Sequence, residues 1–111
     1  MRIFNHSAVM FYAQRHADVR DDLLAWYAEA ENAAWKTPAD VRRQFPRASV
    51  VANSRIVFNL GGNRYRLIVS FNYPSGTCYI KFFGTHAAYD RIDALTVDHT
   101  GVIHGKTKSR Y

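Results

Sequence analysis

The sequence is short of several features on which common chemistries depend. It has one cysteine, Cys78, in 111 residues, which excludes an intramolecular disulfide; in an apolar run, that thiol is expected to be buried in a reducing compartment. No apolar run is long enough to cross a bilayer, and Met1-Arg2-Ile3-Phe4-Asn5-His6 lacks the hydrophobic region of a secretory signal. The expectation is a cytoplasmic chain with no membrane anchor. Gly61-Gly62 lacks the Lys-Ser/Thr that would make it a phosphate-binding loop, so it reads as a turn, and there is no nucleophile elbow. His86, His99 and His104 are scattered, and no two histidines have helical ligand spacing, so no metal or other cofactor is expected. Acidic residues are also in deficit: 9 Asp plus Glu face 15 Lys plus Arg, a formal charge of +6. Neutralising phosphates releases counterions, so this balance tilts towards nucleic acid, although solubility alone also accounts for it.

What is present is a folded domain's composition, with 48% hydrophobic and 22% charged residues. Residues 2–5 suggest a short strand. Ser7 and then Asp18 suit helix N-caps. The first helix would carry Val9, Tyr12, Ala13 and His16 on one face. The second would bury a stripe of Val19, Leu23, Trp26, Tyr27, Ala30 and Ala34 against a sheet. Thr37-Pro38-Ala39-Asp40 starts a third helix, which Pro46 keeps short.

Beyond that point the period becomes two. Ile56, Phe58 and Leu60 alternate with Arg55, Val57 and Asn59, and Gly61-Gly62-Asn63 suits a hairpin. The strand over 64–73 has Tyr65, Leu67, Val69, Phe71 and Tyr73 on one face, with Arg64, Arg66, Ile68, Ser70 and Asn72 on the other. Pro74-Ser75-Gly76 turns the chain into a strand over 77–83, where Cys78, Ile80 and Phe82 oppose Thr77, Tyr79, Lys81 and Phe83. Helices followed by an antiparallel meander give an α+β plan, helices on one face and the other face free. Residues 91–95 read as a helical turn or short strand, and 97–111 as a basic extension.

Two sets of residues can carry chemistry. Arg55, Arg64, Arg66 and Lys81, with Tyr79, would make a cationic, aromatic sheet face suited to phosphates and unpaired bases; the alternative is an ordinary solvated strand face. His86, Tyr89 and Asp90 follow the last strand. With Arg66 they are the types needed to deprotonate a 2′-hydroxyl, steady a pentavalent phosphate and protonate the leaving 5′-oxygen. Locally, Thr85-His86-Ala87-Ala88-Tyr89-Asp90 reads first as a helix cap. Trp26, Tyr27 and Trp35 read as packing.

Linear order separates these alternatives. Trp35-Lys36-Thr37-Pro38-Ala39-Asp40 leads to Phe45-Pro46, then Val57-Phe58-Asn59-Leu60-Gly61-Gly62-Asn63-Arg64-Tyr65-Arg66-Leu67-Ile68, then Gly84-Thr85-His86-Ala87-Ala88-Tyr89-Asp90-Arg91-Ile92-Asp93. In these blocks the chain resembles the HigB toxins of toxin–antitoxin pairs, a branch of the RelE-like ribonucleases. The resemblance implies an α+β RelE-like fold, two N-terminal helices packed on a twisted, mainly antiparallel sheet, over 1–93, leaving 94–111 as a basic C-terminal extension. It implies a ribosome-dependent, metal-independent mRNA endoribonuclease, with a non-catalytic RNA- or ribosome-binding module as the alternative. A plain protein-interaction domain is a third reading. Its implied partners are mRNA on the ribosome and a HigA-like helix-turn-helix antitoxin, with operator DNA contacted only through the antitoxin complex. Its implied catalytic group is Arg66, His86, Tyr89 and Asp90. Lys36 and Arg64 would be supporting phosphate contacts, alongside Arg55 and Lys81 of the sheet face.

Overall fold

Helices fill the first half and strands the second, as the change of period anticipates. The computed structural model describes residues 1–51 and 54–98. In chain order these form β1 (Arg2–Phe4), α1 (His6–Arg15), α2 (Arg20–Asn32), α3 (Pro38–Gln44), β2 (Ser49–Val51), β3 (Arg55–Leu60), β4 (Tyr65–Asn72), β5 (Thr77–Thr85) and α4 (His86–Tyr89). The sheet order is β1-β5-β4-β3-β2. Neighbours are antiparallel except β1, which joins β5 in parallel with Phe4 opposite Tyr79. Among the described residues no helix is long and apolar enough to cross a membrane.

The helices bury the expected faces but start two residues before and one residue after the expected caps. Asn5, at φ 75°, leads into α1 in place of Ser7; asparagine tolerates that left-handed geometry better than most residues. Val19 precedes α2 in place of Asp18, because Asp18 is used at long range. Its carboxylate accepts the Tyr65 hydroxyl at 2.9 Å and Arg64 Nη1 at 2.9 Å. Asp22, one turn on, accepts the Gly61 N–H at 3.0 Å. The start of α2 therefore clamps the β3–β4 hairpin. Helix α3 begins as read: Thr37 Oγ1 accepts the Asp40 N–H and Asp40 accepts the Lys36 N–H. That second bond is the chief reason the Asp40 carboxyl sits below its usual range. Ala34 lies beyond α2 and is exposed, whereas Trp35 is buried.

Val9, Leu23 and Trp26 from the helices pack on Phe58, Leu67, Val69, Cys78, Ile80 and Phe83. The opposite face is not free. Val57, Ile68 and Phe82 form a second apolar cluster there with Val97, joined by Tyr89, Ile92 and Ala94. A β-bulge is part of the reason. Ile68 pairs with Phe82 but Val69 with Ile80, so Lys81 is the extra residue. The insertion reverses side-chain alternation, turning Phe82 to the second face and Phe83 to the helices. Residues that follow α4 then cover Phe82. Asp93 accepts backbone bonds from Thr96 and Val97, so the segment after residue 91 is a hydrogen-bonded turn. His99, His104 and the basic residues of the tail lie outside the described residues.

Candidate active site

Arg66 sits on the second face, opposite Asn59 of β3 and Gly84 of β5. Only 9% of it is exposed, so its guanidinium must be satisfied internally. Nη1 donates to the carbonyls of Asn63 at 2.9 Å and Tyr65 at 3.2 Å. The first is available because Asn63 takes φ 80° in the hairpin turn. The side chain thus curls towards its own turn and is held there. Its guanidinium carbon lies 5.9 Å from the centre of the Tyr89 ring, within cation–π range.

Helix α4 supplies the rest. Thr85 Oγ1 caps it by accepting the Ala88 N–H at 3.1 Å, and the His86 N–H donates to the Arg64 carbonyl at 2.8 Å. The cap reading holds and leaves room for the site reading: Thr85 caps, while His86, Tyr89 and Asp90 lie on the turn it starts. His86 Nδ1 lies 3.2 Å from Asp90 Oδ2, one turn on. A carboxylate at Nδ1 orients the imidazole and directs Nε2 to a reacting group. Both side chains are at least half exposed and so open to a ligand. Gly84 makes the close packing of α4 possible, since a Cβ there would lie 2.8 Å from the Phe82 ring and 3.4 Å from Ala88 Cβ.

Arg66, His86, Tyr89 and Asp90 are thus gathered at one end of the second face. The other four expected contacts are not. Arg64 turns to the helical layer, bound to Asp18 and, through Nε, to the Gly61 carbonyl at 2.7 Å. Arg55 Nη1 donates to the carbonyls of Ala94 and Val97 at 3.1 and 2.8 Å. Lys81 pairs with Asp98 at 3.4 Å. Lys36 lines a groove with Tyr73, Ser75 and Gly76, at the far end of β4 from Arg66. Local patterning passed over Gly84, whose role depends on Phe82 and Ala88, and the Asn63 carbonyl, which the Gly-Gly-Asn turn could have suggested. A groove of about 150 Å³ between Phe45, Pro46, Arg47 and Asn59 opens near the strand position facing Arg66. Among the described residues, no group of three His, Cys, Asp or Glu side chains could hold a metal ion.

The family described as HigB_toxin, RelE-like toxic component of a toxin–antitoxin system, matches residues 19–92. The chain belongs to the HigB toxin family. That match runs from the α2 clamp through Arg66 to the end of the His86–Asp90 turn, and its description makes an antitoxin the partner of this component. Among curated proteins, the chain is 26% identical over 97 residues to the mRNA interferase toxin HigB of Escherichia coli (strain K12). The alignment covers 86% of this chain and 93% of that protein. The mRNA interferase HigB of Shigella flexneri is similar to the same degree over the same shares. The α+β architecture, with helices on one face of a five-stranded, mostly antiparallel sheet, is that of a RelE-like HigB toxin.

Proposed function

We propose that this HigB toxin is an endoribonuclease that cleaves mRNA on the ribosome, without a metal ion, and so stops translation. The observation that carries the reading is the pairing of His86 with Asp90 on the same short turn that sets Tyr89 against Arg66. In the reaction the 2′-oxygen forms a bond to phosphorus and the bond from phosphorus to the 5′-oxygen breaks. One proton leaves the 2′-hydroxyl and one reaches the 5′-oxygen. His86 is the residue that moves a proton at these oxygens, oriented by Asp90. The Arg66 guanidinium stabilises the charge that builds on the phosphate, and Tyr89 orients the RNA. Arg64, Lys36, Arg55 and Lys81 would contact RNA only after giving up or sharing their present partners where they have them.

The mRNA interferases named among the relatives support this substrate. The rest of the reading is an expectation supported by the family resemblance and by the basic composition of the tail. The domain is 1–93, the extension over 94–111 adds basic contacts to ribosomal RNA, and the protein works in the cytoplasm. A HigA-like helix-turn-helix antitoxin neutralises it and carries the complex to operator DNA.

The test is induction of the wild-type chain, Arg66→Ala and His86→Ala, with mapping of RNA 5′-ends. New ends inside translated messages for the wild type, lost in both variants, are expected. Intact messages and normal growth with the wild-type chain refute the proposal. Ribosome co-sedimentation retained by His86→Ala, with no new ends from any chain, identifies a binding module instead.

A further inference from the structure

The second face carries one feature that the cleavage site does not use. At the β1–β5 edge, Phe4 stacks on Tyr79 with ring centres 4.9 Å apart and planes 11° from parallel. The Arg2 guanidinium lies 5.3 Å from the Phe4 ring centre, and Lys81 Nζ lies 5.6 Å from that of Tyr79. The result is a four-member row of cation, ring, ring and cation across two adjacent strands. Phe4 is 37% exposed, one of few large apolar side chains left so open. Its neighbour Ile3 packs with the helices, so strand alternation turns Phe4 to the second face.

Position adds a second argument. Tyr79 pairs with Ser70, and Gly84 with Arg66, so the row lies four residues of β4 from Arg66. That is about 13 Å along the same sheet face. A strand of RNA with a phosphate at Arg66 can reach the row with a nearby nucleotide by passing over the Val97 and Ile92 cover of Phe82. An unpaired base can stack on the outer face of Phe4 once the Arg2 guanidinium moves from that ring to a phosphate, because every base has a π-face; Lys81 shares its charge with Asp98. The basic balance of the chain, +6, fits such an occupant and argues against an apolar protein segment.

We propose that Phe4 and Tyr79, flanked by Arg2 and Lys81, form a stacking platform for an unpaired base of the message, outside the cleavage centre. This rests on the RNA-cleaving reading for its substrate. The platform holds the strand by stacking, independent of sequence, and sets how far the message extends across the sheet from Arg66.

The probe is a short, fluorescently tagged, 2′-O-methylated single-stranded oligoribonucleotide, titrated against full-length His86→Ala protein by anisotropy. Adding Phe4→Leu, which keeps an apolar strand residue but removes the ring, is expected to weaken binding roughly tenfold, the scale of losing one base stack. Phe4→Trp should restore it, and an RNA duplex of the same sequence should show no Phe4 dependence. Unchanged affinity with Phe4→Leu, no rescue by Phe4→Trp, or an equal loss on duplex overturns the platform. So does an oligoribonucleotide that fails to bind the Phe4-containing protein. These outcomes are separate from the cleavage reading, which the mapped 5′-ends decide: a chain that cuts messages but is indifferent to Phe4→Leu loses only the platform.

Discussion

The Arg66 guanidinium lies 5.9 Å from the centre of the Tyr89 ring, and the two come from β4 and α4, which meet where Gly84 faces Arg66 across the sheet and the His86 N–H bonds the Arg64 carbonyl. Arg66 is held from behind by the Asn63 and Tyr65 carbonyls, both on Nη1. A buried arginine fixed in this way is pre-organised, so little rotamer freedom remains to be lost when a phosphate binds. Tyr89 forms one wall of its position, and the His86–Asp90 pair stands on the same turn.

Arg66→Lys should therefore behave almost as badly as Arg66→Ala. Lysine keeps the charge but cannot bond a turn carbonyl and a phosphate with one planar fork. Losing a pre-organised charge donor of this kind costs on the order of a hundredfold or more in rate. Single-turnover cleavage by the two variants checks this, and near wild-type rates for the lysine chain would show that charge alone suffices.

Gly84→Ala is expected to damage the site more than the fold. The added Cβ meets the Phe82 ring at 2.8 Å and Ala88 at 3.4 Å, so α4 must lift or Phe82 must swing. Overpacking of that sort costs about 1–3 kcal/mol. Because α4 carries His86 and Tyr89 and ends on Asp90, cleavage should fall further than the shift in urea midpoint suggests. Wild-type cleavage in a folded Gly84→Ala protein would mean that the closeness of α4 to the sheet is irrelevant.

Much of this architecture was legible locally. The Gly61-Gly62-Asn63 turn, the Thr37 capping box and the alternation through β3 and β4 each depend on a few adjacent residues, and each occurs where read. Asp18 was misread as a cap because its partners, Tyr65 and Arg64, are more than forty residues away. The parallel pairing of β1 is equally remote from its own sequence. At Lys81, one bulged residue reversed the alternation and sent Phe82 to the face expected to be open. With Phe82 went the cover of Val97 and Ile92, and with that cover went the free cations: Arg55 and Lys81 now bind residues 94–98. Within the site, residue types and order were readable, whereas the support given by Gly84 and the Asn63 carbonyl was not.

The Asp18 clamp gives a third prediction. Asp18→Ala removes the acceptor for Tyr65 and the partner of Arg64. The exposed ion pair contributes little, and the hydroxyl–carboxylate bond about 1.5–3 kcal/mol. Tyr65→Phe alone should destabilise by a similar amount, yet cost little more in the Asp18→Ala background. A double-mutant cycle by urea unfolding measures this coupling, and simple additivity would show that the two side chains act independently.

Cys78 predicts an alkaline weakness. Burial pushes its thiol up from 9.0 to about 12, and burial likewise takes the Tyr73 hydroxyl to about 12. Between pH 9 and 12 the unfolded chain loses the thiol proton while the folded chain keeps it, so the folded state binds more protons. Stability must then fall as pH rises through this window, by up to about 1.4 kcal/mol per pH unit from the thiol. Below pH 9 both states are protonated and the slope from the thiol vanishes. Cys78→Ala removes that slope while costing packing at every pH, so the stability gap between wild type and variant should narrow as pH rises from 9 towards 12. Urea midpoints taken across that range test the point; a gap that stays constant would mean that the thiol ionises as readily in the folded protein as in the unfolded one.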